Sequence, residues 1–167
     1  MTERLQTTKD KISRLLIINA QAKGQKEEWN QLMRRHLEDI DRSDPDMCMQ
    51  YGVFLFKRGD DMEETIRWAN VALENKHTWS GKTYVSRVNN LLRLRAEAAY
   101  RIWNDAEKRM VETTDRERKD VRREYRGWAM DNAREWLDYV QSSGLDNRKA
   151  LQLCLAAAGH RGFCSPR

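Results

Sequence analysis

Residues 47–75 read MCMQYGVFLFKRGDDMEETIRWANVALEN, and this stretch decides the fold class. Apolar residues recur at helical spacing on both sides of Gly59 and Asp60, which mark a turn. The stretch therefore predicts two short amphipathic helices joined by a tight connection. One such hairpin cannot bury its apolar faces alone, so we expect further helices to pack against it.

The composition favours long helices over a sheet. The 167 residues include only two Pro and eight Gly. Charged residues make up 34% of the chain, above the usual quarter, which is typical of helices with wetted outer faces. The formal net charge of +5 is spread along the chain and lacks the concentrated stripe of many nucleic-acid binders. No apolar run approaches the roughly 20 residues that a membrane-spanning helix needs.

The first 42 residues also have a helical pattern. Alternating three- and four-residue steps trace a heptad-like seam. Gly24 divides this segment, so either one long helix runs through it at a cost of about 1 kcal/mol, or a helical hairpin turns there. We expect residues 15–18 to be buried on more than one face, which favours packing against the body over a lone coiled coil. The seam residues are Leu5, Ile12, Leu15, Ala22, Trp29, Met33, His36 and Ile40, with Thr8, Asn19 and Lys26 filling the gaps.

The remaining elements follow from caps and periodicity. Asp44 and Pro45 predict a helix start. A helix is expected over 83–103, and a long charged helix continues to about residue 142. Its middle part, 112–120, is expected to project from the core or to be solvated all round. A last short helix begins at Asp146. The predicted organisation is an N-terminal helix or hairpin (1–42), a helical domain (43–159) and an irregular tail (160–167), all in one unit.

Small residues in the central stretch carry a family resemblance. Gly52 is a small residue within the first helix, and Gly59-Asp60 forms the turn. The small and apolar positions of the second helix hold Ala69, Ala72 and Leu73. The stretch resembles a tetratricopeptide repeat. It departs from that family at the inserted Asp61 and at Cys48, where the family has Trp.

A second, weaker copy begins at residue 92. The stretch 92–103, LRLRAEAAYRIW, places Ala96 where the first copy has Gly52. These two positions are 44 residues apart, whereas a regular array repeats every 34. The resemblance implies an all-α fold of antiparallel helix hairpins stacked in an α-α superhelical arrangement, with the N-terminal segment and the long charged helix added.

Arrays of this family line a concave groove with exposed residues of each first helix, so the resemblance also implies a groove for a peptide or protein. Arg and Asn suit an extended peptide, because they hydrogen-bond its backbone or an acidic terminus. The alternative is that an irregular copy packs these residues against the N-terminal helices. The candidates are Met49, Val53, Phe56 and Lys57 from the first copy, and Asn90, Arg93, Glu97, Tyr100 and Arg101 from the second.

The densest charge cluster is the stretch 115–128, DRERKDVRREYRGW. Basic and acidic side chains interleave in it, which is typical of a solvated helix. The alternative is a basic face that docks an acidic protein or nucleic acid. The basic residues of that face are Arg118, Lys119, Arg122, Arg123 and Arg126.

No catalytic or metal-binding set can be assembled from the sequence. His36 and His77 are isolated, and no Ser-His-Asp or Cys-His arrangement is evident. Cys154, His160 and Cys164 lack a fourth ligand and the closely spaced Cys pairs that zinc prefers. The two cysteines can instead form a disulfide in an oxidising compartment. We expect no metal, no cofactor and no enzymatic activity.

The sequence thus predicts a non-enzymatic scaffold or adaptor of bacterial type that binds a protein or peptide within a larger assembly. Two alternatives stay open: binding of nucleic acid or an acidic partner through residues 116–126, and homo-oligomerisation through the seam of residues 5–40. Nucleic acid is the less favoured partner, and membrane insertion is not expected. A polar N-terminus favours a cytoplasmic location, or a periplasmic one if a leader has been removed.

Overall fold

The computed structural model describes residues 3–59, 61–110 and 116–166, and the regular elements in these ranges are all helical. The all-α prediction is confirmed. Two short 3-10 turns, at Lys76–Thr78 and Gly162–Cys164, accompany the α-helices. Those helices are α1 (Glu3–Ala22), α2 (Lys26–Asp39), α3 (Pro45–Arg58), α4 (Met62–Glu74), α5 (Gly81–Met110), α6 (Arg116–Ser142) and α7 (Arg148–Ala158).

The central hairpin begins and ends where its capping residues dictate. The carboxylate of Asp44 accepts hydrogen bonds from two N–H groups in the first turn of α3, and Pro45 occupies the first helical position. The helix ends at Gly59, whose φ of +82° is the left-handed conformation that favours glycine. Asp61 caps α4 in turn. Asp60, the other residue of the expected turn, lies outside the described residues.

The N-terminal segment is a hairpin, not one long helix. Gly24 has a φ of +68° and reverses the chain between α1 and α2. The reversal separates the two halves of the heptad-like seam: the half on α2 packs inward, and the half on α1 faces solvent. The expectation that residues 15–18 are buried on more than one face is wrong, because only Ile17 is buried. A single stripe of α1 reaches the body of the protein.

Helix α5 connects two apolar cores. It contacts α3 and α4 on one side and α6 and α7 on the other. Leu91 and Leu94 belong to the core that joins α2, α3 and α4. Val88, Leu92 and Ala96 belong to the core that joins α6 and α7. Because helical residues 91 and 92 point to different faces, one helix serves both cores.

One expected boundary is corrected in the middle of the chain. Helix α5 does not end near residue 103 but continues to Met110, because no Gly or Pro interrupts it. Trp79, in the loop after the first 3-10 turn, is buried, and its indole N–H donates to the carboxylate of Asp46 at 3.2 Å. Residues 111–115, which include part of the expected projecting segment, lie outside the described residues; the described side chains from 116 to 120 are exposed.

The C-terminal tail is fixed to the body. A disulfide joins Cys154 of α7 to Cys164 in the 3-10 turn. The buried guanidinium of Arg134 donates to the carbonyl oxygens of Phe163 and Ser165, at 2.7 and 2.6 Å. The expectation of an irregular tail is therefore wrong for this turn, and α7 begins two residues after the expected Asp146.

Candidate functional site

The predicted groove residues of the two copies take part in different contacts. Val53 and Lys57 line a pocket beside the α1–α2 turn, whereas Arg93 lines a separate pocket beside α6 and α7. Phe56 and Arg101 contact each other: the guanidinium carbon lies 4.3 Å from the ring centre, and the guanidinium donates to the Phe56 carbonyl at 3.3 Å. This last pair joins α3 to α5, so these two side chains pack against each other within the helical domain.

The other groove candidates are engaged within or beside their own helices. Met49 is half-buried against the core of α2, α3 and α4. Glu97 pairs with Arg93 one turn away at 3.0 Å. The ring of Tyr100 meets that of Trp103 edge-on, with 5.6 Å between centres. Asn90, by contrast, is exposed.

Arg122 and Arg126 of the predicted basic face contact neighbouring helices. Arg122 of α6 pairs with Glu107 of α5 at 2.6 Å, and this hydrogen bond lowers the pKa of the Glu107 carboxyl. Arg126 donates to the carbonyl oxygens of Ala157 and Ala158, at 3.2 and 2.9 Å, and so caps the end of α7. The other three members of the face, which are exposed, are Arg118, Lys119 and Arg123.

A pocket of about 510 Å³ lies where the α1–α2 turn meets α3. Its apolar wall includes Trp29 and Phe54, whose rings meet edge-on with 5.1 Å between centres. Lys26 and Lys57 contribute positive charge to its lining. A mostly apolar pocket with a few polar groups is typical of a small-ligand or peptide site.

A buried polar network joins α1 and α2 to the start of α3. The Nδ1 atom of His36 lies 3.0 Å from the Ser13 hydroxyl, and its Nε2 lies 3.1 Å from Asp44 Oδ2. Arg14 donates to both Asp10 and Asp44. Burial acts to raise the pKa of Asp44, but hydrogen bonds and the charge of Arg14 outweigh it and lower that pKa.

This network has the residue types of a catalytic triad but not its accessibility. Ser13, His36 and Asp44 are all buried, and the other oxygen of Asp44 is used to cap α3. The donor atoms of Asp10, His36 and Asp44 lie within 4.8 Å of one another, close enough to share a cation. The guanidinium of Arg14 already pairs with both carboxylates, those of Asp10 and Asp44. The two carboxylates therefore have their positive partner in Arg14 and fit a metal ion less well.

The largest exposed apolar surface of α1 is its outer face, defined here as residues 5, 8, 12, 15, 16, 18, 19 and 22. The opposite stripe of the helix, which includes Ser13, Ile17 and Ala20, is buried. The outer face carries Thr8, Asn19 and Ala22 along its midline, and all three are exposed. Its large apolar side chains, which are 47–66% exposed, are Leu5, Ile12, Leu15, Leu16 and Ile18.

Positive charge borders the outer face. Among the described residues of α1 and the turn after it, the exposed charged side chains are all basic. The acidic side chain described on α1, that of Asp10, lies against Arg14 and His36. Each of these basic residues is adjacent in sequence to a residue of the outer face, and together they lie on both sides of it. The basic residues that border the face are Arg4, Lys9, Lys11 and Lys23.

No protein-family model, curated protein or solved structure matches the chain. In the part of the chain that the structure describes, no helix is both long and apolar enough to cross a bilayer.

Sequence reasoning found the outer face only in part. The heptad-like seam identified Leu5, Ile12 and Leu15, but nothing in the periodicity told which half of the seam would stay exposed. The buried network was missed entirely. Its members come from α1, α2 and the α3 cap, and the sequence marked only Asp44, as a helix cap, and His36, as a seam residue.

Proposed function

We propose that this chain is a non-enzymatic protein-interaction module that docks a partner through the outer face of α1. One observation carries the proposal: five large apolar side chains on one helix are 47–66% exposed. Contiguous exposed apolar surface of this kind marks interaction sites in soluble proteins. Burying the exposed half of each such side chain contributes on the order of 1 kcal/mol, so the five together offer a strong driving force for association.

The body of the protein supports this role by holding α1 in place. Ile17 of the inner stripe joins the core of α2, α3 and α4, and Ser13 and Arg14 reach the polar network around Asp44. A face on an anchored helix is pre-organised, so a partner loses less free energy in ordering it. The apolar cores lie on the other side of this helix and do not depend on the outer face.

A tetratricopeptide-like stacking of hairpins stays part of the proposal, and the packing around Gly52 supports it. A side-chain Cβ at Gly52 would lie 3.3 Å from a Leu94 methyl group and 3.5 Å from the Thr65 carbonyl oxygen. A small residue is therefore needed where α3, α4 and α5 meet, as in helical repeats that approach closely.

The test removes the apolar surface without touching the cores. We expect the Ile12→Gln/Leu15→Gln double variant to fold as the wild type does, because both side chains are exposed. The wild type and the double variant are each used for affinity capture from the native cell's lysate. Every captured protein is then purified and titrated against both. The matched control is Trp128→Gln, which removes an exposed apolar residue from α6. Equal binding by all three proteins would contradict the docking role of α1.

A second candidate is capture of a short peptide in the pocket beside Trp29 and Phe54. Its apolar wall and its lysines favour a peptide with an apolar and an acidic residue. This candidate predicts that Val53→Gln/Lys57→Glu weakens partner binding while Ile12→Gln/Leu15→Gln does not. The reverse result assigns binding to the outer face.

A further inference from the structure

We infer that the partner of the outer face is an amphipathic helix with acidic flanks, on a different protein. The inference rests on the proposed docking role of α1 and adds the chemistry of the partner. Three observations carry it: the heptad spacing of the face, the amide on its midline, and the sign of the charges that border it.

The spacing of the outer face matches a coiled-coil seam. Position a of successive heptads holds Leu5, Ile12 and Asn19, and position d holds Thr8, Leu15 and Ala22. All six side chains are exposed, and the helix of 20 residues is about 30 Å long, which is three heptads. A second helix laid along this seam inserts its own a and d residues between those of α1.

Asn19 makes a helix a better occupant than a lipid surface. Its amide lies on the midline of the apolar face, where acyl chains offer no hydrogen-bond partner. In a two-stranded coiled coil, a single Asn at an a position pairs across the seam and fixes the register. The face also carries no Trp or Phe, the residues that commonly anchor helices at a membrane interface.

The flanking charges exclude a second copy of this chain as the preferred occupant. Arg4 and Lys11 hold g positions, and Lys9 and Lys23 hold e positions. In a parallel pair of identical helices, Arg4 of each copy lies opposite Lys9 of the other, which is repulsive. A partner with Glu at its e and g positions turns each of these repulsions into an attraction.

The probe is a synthetic peptide of three heptads. It carries Ile and Leu at a and d, Asn at the third a position, and Glu at e and g. One control peptide has Lys at every e and g position, and a second has Ile in place of the Asn. Each is titrated by calorimetry into the full chain, and circular dichroism of the peptide reports helix formation on binding.

We expect the acidic peptide to bind and to become helical. The Lys control should bind at least about tenfold more weakly, since four flanking pairs change sign. Ile12→Gln/Leu15→Gln should weaken binding roughly 100-fold, whereas Trp128→Gln should not change it. The Ile control should bind more weakly than the acidic peptide, and Asn19→Ile should reverse that preference, because like residues then face each other.

Three results would overturn the inference. One is equal binding of the acidic and Lys peptides. The others are self-association of the chain that Ile12→Gln/Leu15→Gln abolishes, and binding to vesicles of phosphatidylcholine with about one-third phosphatidylserine that the same variant abolishes. Each of these still leaves the outer face as a docking surface. A captured protein that the double variant binds as tightly as the wild type does contradicts the proposed function itself, so the two failures are distinguishable.

Discussion

A single carboxylate, that of Asp44, ties three helices together. One of its oxygens caps α3, and the other meets His36 of α2 at 3.1 Å and the guanidinium of Arg14 of α1. These contacts need the ionised form, and despite burial they lower the pKa of Asp44. The attachment of the N-terminal hairpin to the body is therefore linked to pH.

We expect acid to weaken the fold through Asp44. Because its pKa is lower in the folded chain than the unfolded value of about 3.9, its contribution is complete above that value and is lost as pH falls through the folded pKa. At neutral pH, Asp44→Asn should lower the free energy of unfolding by about 1–3 kcal/mol. Urea unfolding as a function of pH measures this.

The same titration separates Asp44 from the general effect of acid. Asp44→Asn should flatten the acid limb of the stability curve, while Asp39→Asn, a change at an exposed carboxylate, should leave its shape unchanged. If both variants follow the wild-type curve, the network does not contribute to the acid sensitivity of the fold.

Two helical glycines, Gly52 and Gly127, differ in what surrounds them. A Cβ at Gly127 would meet nothing within 4 Å, so Gly127→Ala should raise the free energy of unfolding by about 0.5–1 kcal/mol. At Gly52 the close Leu94 methyl offsets that gain, and Gly52→Leu should lower stability by about 1–3 kcal/mol. Denaturant titrations check both values. An equal gain from Ala at the two positions would contradict the close helix contact.

Helix positions followed from the sequence better than helix partners did. Caps at Asp44 and Gly59 are local features, so α3 and α4 could be predicted closely. The seam of α1 and α2 is one continuous pattern, and the turn at Gly24 sends its two halves to different surroundings. Which half of the seam is buried depends on tertiary packing, and the spacing of apolar residues along the sequence does not determine that.

The contacts between distant side chains were beyond sequence reasoning for the same reason. Ser13, His36 and Asp44 meet only because the hairpin folds back onto the start of α3. Arg126 sits in a charge cluster that is typical of a solvated helix, yet it caps α7, 31 residues away in the case of Ala157. Arg side chains are long enough to reach backbone groups of another helix, and no local pattern marks this.

The disulfide between Cys154 and Cys164 should stabilise the fold. Removing it with Cys154→Ser/Cys164→Ser should lower the free energy of unfolding by about 2–3 kcal/mol, because the short loop it closes becomes free in the unfolded chain. Cys48 is an internal control, since it is the free cysteine of the described residues. Because all three cysteines are buried in the folded chain, labelling is done in denaturant, where iodoacetamide should label Cys48 alone without reductant and all three cysteines after reduction. Labelling of the two tail cysteines without prior reduction would contradict the bond.

The two apolar cores share helix α5, which bears on how the chain unfolds. Leu91 and Leu137 are fully buried, in the core of α2, α3 and α4 and in the core of α6 and α7, respectively. Helix α5 contributes to both cores, so neither can lose its packing without disturbing this helix. The two cores should therefore unfold together.

Hydrogen exchange at low denaturant tests this coupling. Leu91→Ala and Leu137→Ala should each lower stability by about 2–5 kcal/mol, and each should accelerate exchange in both α3 and α7. The matched control is Ile12→Gln, a loss of apolar contact area on the exposed face of α1, which should leave both helices unchanged. If Leu91→Ala accelerates exchange in α3 alone, and Leu137→Ala in α7 alone, the cores are independent. A partner that binds α1 would then stabilise only the N-terminal core, whereas coupled cores transmit that stabilisation through α5 to α7.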